Sequence, residues 1–200
     1  MDLPNSEKKE IQMKKWLIGL FTLVFIVVVA GTLALYYIRP ERDLTLAYAP
    51  VPLEERAVDM ARRLSRELVL SSDDIENLAK RALADNPFVE KDVQVTGAEF
   101  SVSGDRLLAD LNIIWKDRVS AAIQVTYRLR WEAPNVVAAA EKATIKGIAL
   151  PTSMFSDQVI PIGDSLPAAL KIEKMTWGSG GVKVLFRKPS LQDLQNLIGG

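Results

Sequence analysis

The densest group of side chains able to hold a cation or share a proton is Asp73, Asp74 and Glu76. Paired carboxylates serve hard cations or general acid–base exchange. Their spacing is not that of a calcium loop. Following Ser71 and Ser72, they suit the first turn of a capped helix, whose amide dipoles favour negative charge. Asp105, Asp110 and Asp117 are scattered over strand and turn positions. A hydrolase built on carboxylates would draw on Asp110 or Glu132 and would need a close pair of them in a cleft.

Other chemistry is excluded by composition. The 200 residues include no histidine and no cysteine. A Ser-His-Asp triad, an imidazole base, histidine or thiolate zinc sites and disulfides are therefore impossible. Ser65, Ser71 and Ser72 open no Ser-x-x-Lys pattern. The glycine-rich stretch Gly178 to Gly181 joins two strand-like segments and opens no helix, so it does not read as a phosphate cradle. Net charge is zero, which leaves no global basic field for nucleic acid. The expectation is a non-enzyme with no cofactor and no metal.

The remaining candidates are surfaces. From Val119 to Trp131 apolar and polar residues alternate, the period of a strand with one greasy face. Tyr127, Leu129 and Trp131 of this strand, with Leu111, Ile113 and Trp115 of the segment before it, are the expected ligand-binding residues, the floor of an apolar groove. On the opposite parity Arg128 and Arg130, with Lys116 and Arg118, offer a basic stripe toward anionic headgroups.

These residues need a scaffold. Leu53, Ala57, Met60, Ala61, Leu64 and Leu68 recur at three- and four-residue steps, which predicts an amphipathic helix over 53–68. A second helix is predicted over 72–85, capped by Ser71 or Ser72 and ended by Asn86-Pro87. Alternation then predicts a meander: a strand from Asp92 with a bulge at Gly97, a turn at Gly104-Asp105, a strand over 106–115, a reversal at 116–118 and the long strand. Ala133-Pro134-Asn135 breaks it. Val136 to Glu141 reads as a short helix or a bulged strand, and Ala143 to Leu150 as strand. Pro151 suits a helix start with Met154, Phe155 and Val159 as apolar contacts. A hairpin is expected around Gly178–Gly181, and a closing helix after Ser190.

Before all this, Trp16 to Ile38 is uncharged. As a helix it would span about 33 Å, enough for a bilayer core. Trp16 and the Tyr36-Tyr37 pair mark its ends, and Lys8, Lys9, Lys14 and Lys15 outweigh Arg39 and Arg42 beside Glu41. The expected organisation is a cytoplasmic tail (1–15), a transmembrane helix (16–38), an extended linker (39–52) and an extracytoplasmic domain (53–200). The expected fold class is α+β: one transmembrane helix, then an antiparallel β-sheet domain with helices packed on one face.

The order of motifs resembles the YpmS-like family of bacterial membrane-anchored extracytoplasmic proteins. The matching stretches are "LVLSSDDIENLAKRAL", "IKGIALPTSMF" with Leu150-Pro151, "LPAALKIEKMTW" with Leu166-Pro167, and "VKVLFRK". They span most of 66–188; the "EAPNVVAAAEK" stretch departs from the pattern. The resemblance implies no enzyme and no catalytic residues, and a role in binding lipid or in assisting an exported lipase-like partner. The expected function is accordingly a bitopic membrane protein whose exported domain binds a lipid or an envelope partner. The alternative is a structural subunit of a membrane assembly.

Overall fold

The computed structural model describes residues 5–63, 65–160, 162, 170–178 and 180–188. The expected closing helix and the Leu166-Pro167 motif lie outside these residues. The chain divides into two compact units, Met1–Arg39 and Pro40–Gly200.

The first unit is one helix, α1 (Asn5–Tyr37). It begins well before Trp16 because the preceding Glu, Lys, Gln and Met are strong helix formers. Its Ile18–Tyr37 portion has a mean hydropathy of 2.7 and no buried residue. The Thr22 and Thr32 hydroxyls donate to the Ile18 and Val28 carbonyls at 2.8 Å, which satisfies both groups within the helix.

The second unit opens with an irregular segment, then α2 (Leu53–Arg62) and β1 (Glu67–Ser71). The predicted helix over 53–68 thus stops early. Leu68 and Leu70 are both buried, two residues apart. A helix would point them about 200° apart, whereas a strand puts them on one face. α3 (Ser72–Asp85) forms as predicted: Ser71 Oγ accepts from the Asp74 amide while the Asp74 carboxylate accepts from the Ser71 amide, a reciprocal capping box.

Two antiparallel sheets follow. The larger has the order β2-β3-β4-β5-β6-β7, from β2 (Phe88–Glu90), β3 (Val93–Ser103), β4 (Arg106–Trp115), β5 (Val119–Glu132), β6 (Asn135–Ile145) and β7 (Ile148–Leu150); β8 (Gln158–Ile160) also pairs with β6. The smaller has the order β1-β10-β9, from β9 (Ile172–Gly178) and β10 (Gly181–Phe186). The domain is α+β, as the sequence predicts. The β3 register shifts between Val95 and Gly97, the expected bulge. The stretch after Asn135 is strand, with its own register shift opposite Thr126 and Tyr127. After Pro151 only a 3-10 turn forms (Thr152–Met154), and Met154 and Val159 are exposed where apolar contacts were expected.

The smaller sheet, not a helix alone, covers one end of the larger one. Leu68, Leu70, Met175, Val182, Val184 and Phe186 share a buried cluster with Val102, Leu107, Leu129, Val136 and Ala138. Gly181 permits the packing of β1 on β10: its φ is +143°, and a Cβ there would sit 2.0 Å from the Leu70 carbonyl oxygen.

Candidate functional site

The register of β4 on β5 places the six candidate ligand-binding residues on one face, the face turned to the core. They do not converge on one pocket. Leu129 is buried in the two-sheet cluster, with Tyr127 and Trp131 half-buried against it. Burial pushes the Tyr127 hydroxyl above its usual pKa, and the charge of Glu90 adds to the effect. Leu111 and Ile113 are buried further along β4, and Trp115 ends the row at 46% exposure. Trp115 pairs with Val119, so about 27 Å of strand separates its level from that of Tyr127.

The opposite face is polar and carries the carboxylates. Arg42 donates to Glu99 at 2.7 Å and to Asp110 at 2.6 Å. Asn112 Nδ2 donates to the Arg42 carbonyl at 2.7 Å, and the Ala98 amide donates to the Thr45 carbonyl at 3.4 Å. Leu44 lies directly on Gly97, where a Cβ would meet the Leu44 carbonyl oxygen at 2.1 Å. Glu41 is paired with Lys146 in the β6–β7 turn, which lowers the Glu41 pKa. Residues 41–45 are therefore a strap across the polar face, seated on the bulge. The proline-punctuated sequence marks this segment as irregular, as found, but carries no sign of its seat.

Beyond the strap a shallow hollow of about 290 Å³ opens on the same face, lined by Ser101, Leu108, Gln124, Thr126, Lys142 and Thr144 among others. A second hollow of about 580 Å³ lies between Val51–Glu55 and α3. None of the six candidate residues lines either hollow.

Most of the candidate carboxylates are taken up by basic partners. Asp74 takes Arg56 at 2.7 Å and the Ser71 cap bonds, which together hold its pKa low. Glu76 pairs with Lys80 at 2.7 Å. Glu141 accepts from Arg106 at 2.8 Å and from Arg128, which holds its carboxyl down at about 2. Arg128 also reaches Asp105 at 3.0 Å. The Arg128–Arg130 end of the expected basic stripe is thus met by acids, and Lys116 and Arg118 lie at the other end of the strand. Asp110 pairs with Gln124, which puts Glu132 about 27 Å away along β5, far beyond the spacing of a working carboxylate pair.

No protein-family model, curated protein or solved structure matches the chain.

Proposed function

We propose that this chain is a bitopic membrane protein, N-terminus cytoplasmic, whose exported domain acts by binding an envelope partner and not by catalysis. The observation that carries the reading is the unburied apolar helix Ile18–Tyr37 joined directly to a folded domain. The lysine excess before the helix supports the orientation. The mutual pairing of the carboxylates, and the distance between Asp110 and Glu132, speak against a carboxylate hydrolase. Leu111, Ile113 and Leu129 are consumed by the core, which favours a partner held on the outside of the domain over a lipid held within it. An accessory role toward an exported lipase-like protein, as the YpmS-like resemblance implies, fits such a module.

A lipid-ligand reading keeps one supporting observation: Tyr127 and Trp131 are only half-buried at the margin of the core cluster. The two readings separate in one preparation. Membranes carrying the full chain are washed with alkaline carbonate, extracted in mild detergent and analysed by native mass spectrometry. Retention through the wash with a stoichiometric protein partner supports the first reading. A retained chain with one bound lipid and no protein supports the second. Release by carbonate overturns the anchor.

A further inference from the structure

We propose that the turn end of the larger sheet, built from the β4–β5 and β6–β7 turns, is a contact surface for anionic lipid headgroups. The proposal rests on the anchored reading above. Its first support is covalent. α1 ends at Tyr37, and Glu41 is ion-paired to Lys146 in the β6–β7 turn. Four residues reach at most about 14 Å when fully extended. An interfacial layer is itself several Å deep. Whatever the orientation of the domain, a turn pinned to Glu41 stays within that backbone reach of the bilayer plus the length of the paired Lys146 and Glu41 side chains.

The second support is the chemistry of this end. Ile148, two residues past Lys146, is 60% exposed, and Trp115, the last residue of β4, is 46% exposed beside the neighbouring turn. Lys116 Nζ lies 4.9 Å from the centre of the Trp115 ring. An aromatic body with a cation beside it suits the headgroup layer, where the ring meets the acyl boundary and the ammonium meets phosphate. Arg118 and Lys91 are exposed nearby, with Glu90, Asp92 and Asp117 as the acids among them. The Lys116 amide donates to the Asp92 carbonyl at 2.8 Å, so the β2–β3 turn stands beside the β4–β5 turn. Ile145 pairs with Ile123 and Trp115 with Val119, so the two turns lie within about 14 Å of each other along the strands. At the opposite end the aromatic beside the Ala133-Pro134 turn is Trp131, which is half-buried against the core cluster and not exposed as Trp115 is.

The absence of native cysteine makes the test clean. The full chain carrying I148C, or S103C at the other end of the sheet, is spin-labelled and reconstituted into phosphatidylcholine vesicles with or without phosphatidylglycerol. A nickel-chelating lipid reports headgroup proximity by relaxing the label. Relaxation several-fold stronger at I148C than at S103C is expected. It should rise with phosphatidylglycerol and fall when Lys116→Glu and Arg118→Glu are added. Equal relaxation at the two positions overturns the proposal, as does relaxation at I148C indifferent to lipid charge and to the double substitution. A chain that washes out of the vesicles in carbonate fails the anchored reading instead, which keeps the two failures distinct.

Discussion

Among single residues, Glu141 has the clearest energetic signature. Arg106 and Arg128 both donate to it, and its folded pKa of about 2 lies below the ordinary value of 4.5. A carboxyl depressed in this way stabilises the fold fully above its unfolded pKa. That contribution is lost as pH falls from about 4.5 toward 2. Asp74, held low by Arg56, and Glu41, held low by Lys146, act in the same direction. Urea midpoints of the full chain in detergent, followed by β-sheet circular dichroism, should therefore fall with acidification across that window. Glu141→Gln should flatten the fall, and an unchanged acid slope would show that the pairing carries no free energy. The sequence shows these acids and arginines but not their pairing. Arg106 and Glu141 are brought together only because β4 and β6 flank β5 in register.

At the scale of elements, α3 is the best-specified part of the chain, because its signals are local. Ser71 caps it, Asp74 closes the box and Asn86-Pro87 ends it. Ser71→Ala should cost about 1 kcal/mol, read as a lowered urea midpoint, with Ser71→Asp restoring most of it. The strands were legible for the same kind of reason: period-two alternation identified β3, β4 and β5, and the glycine-rich turn identified β9 and β10. β1 was not legible. Leu64 and Leu68 are spaced as on a helix, and what makes Glu67–Ser71 a strand is pairing with Gly181–Leu185, far along the chain. The same long-range pairing decides the candidate site. Alternation correctly put Tyr127, Leu129 and Trp131 on one face, but the smaller sheet that covers Leu129 assembles from segments on both sides of the meander.

For the whole molecule, the decisive element is the strap. It joins the only described helix long and apolar enough to cross a membrane to the domain, and it is seated by contacts that no local pattern announces. The Gly97 bulge is readable from sequence; its occupant, Leu44, is not. The seat depends on a missing side chain, since any Cβ at position 97 collides with backbone. Gly97→Val should therefore unseat residues 41–45 while leaving the β4–β5 core paired. The Arg42–Asp43 bond reports this directly, because trypsin needs an extended, displaced segment, and because the alternative bond at Arg39 precedes proline. In vesicles carrying the full chain, trypsin should release the domain from the anchor much faster in Gly97→Val than in the natural sequence, with a new N-terminus at Asp43 by intact mass. Arg42→Lys keeps the cleavage site but loses the forked contact to Glu99 and Asp110, and should show an intermediate rate. Equal rates in all three would mean that the strap gains no protection from its seat and behaves as a free tether.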